Sequence, residues 1–280
     1  MPASAYSARC GRRGISTAPM AALPTPTQKW PQRLWIVRHG QSAGNVARDV
    51  AEAALDAWID IAERDVDVPL SALGRRQAEA LGAWFGALTD DEKPSAILSS
   101  PYVRSLQTAE IVREHAGAAH AIERIVVDER LREKEFGILD RMTTHGIRAT
   151  YPGLSEQRQH VGKFYFRPPG GESWCDVVLR LRSVLDTLTR DYVKESVLIV
   201  AHQVVVNCFR YLLERLTEAE ILAIDRAADV PNCGVTLYEF DATRGRNGKL
   251  VLRTANFVAP LLEGGAPVTT APDVPAAPKP

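Results

Sequence analysis

Apolar positions along the chain follow two patterns. "RLWIV" (33–37), "SAILSS" (95–100), "ERIVVD" (123–128) and "SVLIVA" (196–201) are short and nearly unbroken, as in strands buried on both faces. "CGVTLYEFD" (233–241) and "KLVLRTANF" (249–257) alternate more, and the turn-like "TRGRNG" between them predicts a hairpin. Elsewhere the spacing is helical. Val177, Val178, Leu181, Val184, Leu185, Leu188 and Tyr192 fall on one stripe, as do Leu73, Leu81, Trp84, Phe85 and Leu88 within 70–88. Strands interleaved with helices predict an α/β fold: a mostly parallel central sheet with helices on both faces. No internal repeat is visible.

The two ends depart from this pattern. Residues 1–31 carry Arg9, Arg12, Arg13 and Lys29 and no acidic residue, amid much Ala, Ser and Pro. They read as a flexible leader; a targeting segment or a start at Met20 are the alternatives. Residues 261–280, Pro/Ala-rich from Glu263 on, read as a disordered tail, which leaves one folded domain over 32–260. Its charge narrows the choice of partners. Lys+Arg and Asp+Glu are both 34, so no excess of positive charge is available to hold nucleic acid or an anionic membrane. No apolar run approaches the roughly 20 residues needed to cross a bilayer. Cys10, Cys175, Cys208 and Cys233 form no CxxC pair, which fits free thiols in a cytoplasmic protein.

The polar residues that end the predicted strands suggest chemistry. In open α/β sheets, ligands bind beyond the carboxyl ends of the strands. Arg38 and His39 leave the first strand there, and His202 ends the strand "VLIVA". Ser100 and Pro101 read as the N-cap and first residue of a helix, which puts Arg104 in its first turn. "DERLREKEFG" follows "RIVVD" and carries Glu133 toward the same rim. Singly, each is a surface ion pair or a loop hydrogen bond. Together, several cations at one edge would repel one another unless an anion joined them, and arginine presents the planar fork that fits phosphate oxygens. An oxyanion site follows.

At these residues the chain resembles the histidine phosphatase superfamily, also called phosphoglycerate mutase-like. "VRHGQSAGN" matches its signature, with Asn45 seven residues after Arg38. "LSALGRRQAEALG" (70–82), "SSPYVRSLQTAE" (99–110), "LREKEFG" (131–137) and "VLIVAHQ" (197–203) resemble its later segments, in family order. The resemblance implies a phosphoglycerate mutase-like fold with a small inserted cap at 138–171. It also implies roles: His39 as nucleophile, Glu133 as proton donor, Arg38, Arg104 and His202 as phosphate ligands and Asn45 as a supporting donor. The expected reaction is metal-independent hydrolysis of a small phosphorylated substrate through a phosphohistidine, with no cofactor. His115, His120, His145 and His160 form no HxxxH or HxH pair that would suggest a metal.

Substrate choice is expected to lie in the cap, where Arg141, Arg148, Lys163 and Arg167 are candidates to meet a second anionic group. The mutases of the family place an aromatic hydroxyl and then a lysine after the acid/base segment. This chain has Phe136 there, and no lysine follows until Lys163. That favours a phosphatase over the alternatives, a phosphoglycerate mutase-type phosphoryl transfer or a non-catalytic phosphate-binding module. A homo-oligomer remains open.

Overall fold

The computed structural model describes residues 28–116, 122 and 124–270. In chain order these form β1 (Arg33–Arg38), α1 (Ala43–Ala54), α2 (Ala72–Ala87), β2 (Ala96–Ser99), α3 (Val103–His115) and β3 (Ile125–Val127). Then come α4 (Thr144–Thr150), α5 (Pro152–Val161), α6 (Trp174–Asp191), β4 (Ser196–Ala201), α7 (Gln203–Glu214) and α8 (Glu218–Ala227). The hairpin β5 (Val235–Asp241) and β6 (Lys249–Phe257) and a short α9 (Ala259–Glu263) complete the order. The strands form one sheet in the order β3-β2-β4-β1-β5-β6. The first four run parallel, and the predicted hairpin adds the antiparallel edge.

Burial on both faces explains the unbroken apolar runs. Leu34 and Ile36 of β1, with Val197 and Ile199 of β4, pack on one side against Trp174, Val177, Leu181 and Val184 of α6 and Phe209 of α7. Trp35, Val37, Leu198 and Val200 point the other way, onto Ala78, Leu81 and Phe85 of α2 and Val112 of α3. With about 1.5–3 kcal/mol gained per large apolar side chain buried, a charge within either strand would be costly. The first charges come where the strands end. β1 and β4 pair in the register Arg38↔Ala201, so the next residues of the two strands, His39 and His202, emerge side by side.

Residues 138–171 are only partly a unit of their own, since Phe164 packs into the main core. Leu139, Met142, Ile147 and Phe166 make a separate core. It is tied to residues 56–59, which the sequence left unassigned: Ile59 N donates to Arg141 O, Thr143 N to Ala57 O, and Trp58 bridges Met142. A side chain at Gly146 would meet Ala57 O at 2.0 Å, so the two segments join with no room to spare.

Three expectations need correction. The tail does not begin at 261. Leu261 and Ala266 are buried, and Thr269 O accepts from Asn232 N at 2.9 Å, because a short apolar run continues beyond β6 and docks on α2. At the other end Trp30 packs on the core and its carbonyl accepts from Lys194 N, so residues 28–31 belong to the fold. Residues 1–27 and 271–280, with Cys10 and His120, lie outside the described residues. Third, α3 begins at Val103 with Tyr102 as its cap residue, not at Pro101. The Ser100 hydroxyl is turned instead toward His202 Nε2, 2.8 Å away, although Arg104 still falls in the first turn. Among the described residues no helix is long and apolar enough to cross a membrane.

Candidate active site

The carboxyl ends of β1, β2 and β4 open into a cleft lined by Arg38, His39, Asn45, Arg104 and Glu133. Five of the six residues expected from the sequence therefore share one cavity. The sixth, His202, lies directly behind His39, with ring centroids 5.1 Å apart, and Gln203 takes its place in the wall.

His39 is held rigidly. Its backbone N donates to Ala201 O at 2.9 Å, and its carbonyl accepts from Asn232 Nδ2 at 3.0 Å. The next residue must be glycine: a Cβ on Gly40 would lie 2.5 Å from Gly74 O, where α2 crosses the loop. Nδ1 lies 2.7 Å from Gly40 O, which can only accept, so Nδ1 carries the proton and Nε2 keeps its lone pair. Arg104 Nε donates to that nitrogen at 3.3 Å. Burial, then Arg104 and Arg38, hold the imidazole pKa well below its usual 6.5, so the ring is neutral at physiological pH. A neutral imidazole with a lone pair facing two guanidinium groups is equipped to attack an electrophile that those cations hold.

The arginines differ in how they are held. Arg38 donates through Nη1 to Gln203 Oε1 (3.0 Å) and Val230 O (2.6 Å), both neutral, while its buried Nε has no hydrogen-bond partner among the described residues. Burial brings its pKa down to about 10, with Glu133 opposing, and it remains protonated. Arg104 is held by an anion. Its Nη1 lies 3.0 Å from Asp65 Oδ1 and 2.5 Å from Asp65 O, and its Nη2 is 3.3 Å from Asp65 Oδ2. Asp65 begins a single 3-10 turn, Asp65–Asp67.

The other residues have determined orientations. Asn45 closes a capping box at the start of α1, its Oδ1 accepting from Ser42 N at 3.0 Å and approached by Asn232 Nδ2 at 3.5 Å. Its amide nitrogen is left as the donor for the cleft. His202 Nε2 lies 2.8 Å from Ser100 Oγ and 3.3 Å from Ser105 Oγ, whereas its buried Nδ1 has no partner among the described residues. Ser100 Oγ also accepts from Tyr102 N and can still donate to, or accept from, His202 Nε2, so Nδ1 is a proton donor only in the tautomer in which Nε2 accepts. Glu133 is half-buried. Its carbonyl accepts from Arg180 Nη2 at 3.2 Å, and its Oε1 accepts from Lys134 N at 2.8 Å.

The cleft also contains residues that the sequence did not single out. Arg48 is buried and lies on α1 one turn after Asn45, a spacing that marks it for the same side. Ile59, Ile61, Glu63, Asp65 and Val68 come from the stretch before α2, and Phe136, Leu139 and Asp140 from the base of the cap. Burial and the nearby Asp65 raise the Asp140 pKa. Of the four cap cations only Arg141 lines the cleft. Lys163 pairs with Asp225 at 2.8 Å, and exposed Arg167 pairs with Asp176 in the first turn of α6; Arg148 is exposed.

Known proteins resemble the chain over most of its length. Residues 34–252 match the family model of the histidine phosphatase superfamily (branch 1). The chain is 29% identical over 224 residues to a 6-phosphofructo-2-kinase/fructose-2,6-bisphosphatase of Caenorhabditis elegans, covering 77% of this chain and 43% of that protein. It therefore spans less than half the length of that relative. It is 30% identical over 203 residues to a 2,3-bisphosphoglycerate-dependent phosphoglycerate mutase of Sinorhizobium fredii, covering 71% of this chain and 87% of the mutase. Among solved structures, a mycobacterial glucosyl-3-phosphoglycerate phosphatase in complex with inorganic phosphate superposes with a TM-score of 0.61 at 26% identity, over 82% of this chain and 99% of that one.

Proposed function

This chain belongs to the histidine phosphatase superfamily, and on that premise we propose that it is a phosphomonoesterase that transfers the phosphoryl group of a small phosphorylated metabolite to His39 and then to water. The observation that carries the reading is the state of His39: Nδ1–H is committed to Gly40 O, and Nε2 faces Arg104 with Arg38 alongside. A phosphoryl group held by the two arginines and the Asn45 amide would present its phosphorus to Nε2, while His202, buried beside His39 and outside the cleft wall, backs that ring. As the N–P bond forms and the ester P–O bond breaks, the departing oxygen takes a proton from the Glu133 carboxyl. The Glu133 carboxylate then takes a proton from water as that oxygen attacks phosphorus. The N–P bond breaks as the new P–O bond forms, its electron pair returns to Nε2, phosphate leaves, and His39 is neutral again. The cations act on charge that grows on the phosphoryl oxygens in both transition states, where fixed donors are most effective.

Hydrolysis, rather than return of the phosphoryl group to a sugar acid, is favoured by the missing hydroxyl after the acid/base segment, with Arg48 and Arg141 as the further cleft cations that a second anion would meet. Lys163 and Arg167 are engaged with Asp225 and Asp176, and Phe136, at the position where the mutases have a hydroxyl, lies at the cleft wall. A panel of phosphate esters assayed for free phosphate with a chelator present tests the proposal. Wild type should release phosphate, and His39→Ala should lose on the order of 10⁴ or more in rate. Near-normal release by the alanine variant would refute the assignment, as would wild-type activity that vanished with the chelator and returned with a divalent metal.

A further inference from the structure

Asp65 engages the guanidinium assigned to the phosphoryl group. Arginine has five N–H donors. In Arg104, Nε is directed at His39, Nη1 at the Asp65 carbonyl and Oδ1, and Nη2 at Asp65 Oδ2. Little of the fork is left for a second anion. Carboxylate and phosphate compete for the same geometry, so a phosphoryl group can take a forked grip on Arg104 only as the Asp65 carboxylate withdraws. The two arginines thus have opposite arrangements, Arg38 being held by neutral acceptors.

We propose that Asp65 is an internal competitor for phosphate: it neutralises buried Arg104 while the cleft is empty and repels the phosphate product, which sets how tightly phosphate and monoesters are held. The proposal rests on the reading of Arg104 as a phosphate ligand. Arg104 is buried, and an unpaired charge there would be costly without an anion, so a resident carboxylate stabilises the empty site. The location suits a group that must yield. The Asp65 side chain is about two-fifths exposed, at 39%, on a turn flanked by exposed Glu63 and Arg64. The turn lies between two fastened points: before it Ile61 O accepts from Arg141 Nη1 at 2.8 Å, and after it Ala43 N donates to Pro69 O and Leu70 N donates to the Gln107 side chain.

The alternative is that Asp65 acts as a clamp that aims Arg104, and the two readings predict opposite signs. Asp65→Asn keeps an acceptor for Nη2 and leaves the backbone carbonyl contact intact, while it removes the charge. Orthophosphate binding, measured by calorimetry and as product inhibition of p-nitrophenyl phosphate hydrolysis, should tighten by about tenfold or more in Asp65→Asn, as expected when a like charge is removed from beside an anion. Glu63→Gln, at the same cleft but without a hydrogen bond to Arg104, should tighten binding much less. Unchanged or weaker binding in Asp65→Asn would overturn the proposal, and so would equal tightening in both variants, which is a general field effect. Arg104→Ala separates this failure from that of the proposed function. If wild-type binding is lost in Arg104→Ala yet Asp65→Asn gives no gain, only the competitor falls. If wild type and Asp65→Asn bind no orthophosphate, or bind it regardless of Arg104, both readings fall together.

Discussion

Asn232→Ala tests how far catalysis depends on a side chain that does not line the cleft. Asn232 is fully buried in the loop before β5. Its Nδ2 donates to His39 O at 3.0 Å, and its Oδ1 accepts from Thr269 Oγ1 at 3.0 Å; the Asn45 contact, at 3.5 Å, is too long to count for much. Two sound hydrogen bonds are therefore removed, worth about 1 kcal/mol each, with a further penalty of about 1–3 kcal/mol for any buried partner left unmet. His39 O keeps a weak donor in Cys233 N at 3.3 Å, which limits that penalty. A stability loss of about 2–4 kcal/mol follows, measurable by urea unfolding. The kinetic effect separates position from stability. A misplacement on the order of 1 Å costs about 10²-fold, so kcat should fall between about tenfold and 10²-fold under conditions where the variant is folded. KM for p-nitrophenyl phosphate should change little, because Arg38 and Arg104 are untouched. A folded variant with lower stability and undiminished kcat would refute the reasoning.

Two further outcomes are expected. In Glu133→Gln, phosphoenzyme formation followed by rapid quench should fall by roughly 10² to 10⁴ for an alkyl phosphate and much less for p-nitrophenyl phosphate, whose phenolate leaves without a proton; an equal fall would mean that another group is the donor. Burial and the neighbouring arginines hold the His39 and His202 pKa values well below 6.5. Below pH 6.5 the unfolded chain therefore binds more protons than the folded one. Stability is full above that pH and falls on acidification, by up to about 1.4 kcal/mol per pH unit for each histidine until its folded pKa is reached. Urea midpoints between about pH 7.5 and about pH 5 should fall less steeply in His202→Gln than in wild type, and identical slopes would remove His202 from the account.

Legibility in the sequence followed the strength of the local signal. The four parallel strands were visible because burial on both faces demands runs such as "SVLIVA", and the rule that ligands gather at strand carboxyl ends points to the cleft that Arg38, His39, Arg104 and Glu133 line. Ser100 was misread as a helix cap because a serine before proline has that local preference, and only the register of β2 beside β4 brings its hydroxyl to His202. The stretch 55–69 has neither helical nor alternating spacing, so Ile59, Ile61 and Asp65 gave no sign that they form a wall of the cleft. Asn232 and Thr269 act across 37 residues, through contacts that no local pattern encodes. The cap cations Lys163 and Arg167 stood out by composition, yet their acidic partners lie on α8 and α6, so their charge serves the attachment of the cap and the start of α6.

The central claim is that His39 carries the phosphoryl group. Wild type mixed with an isotopically labelled phosphomonoester, quenched within the first turnover in denaturant without acid, and mapped by peptide mass spectrometry gives the direct answer. The account predicts one acid-labile, base-stable phosphoryl group on the peptide containing His39, formed at least as fast as steady-state turnover and absent from His39→Ala. Turnover at the full rate with no label on His39, or with label on another residue, would contradict it.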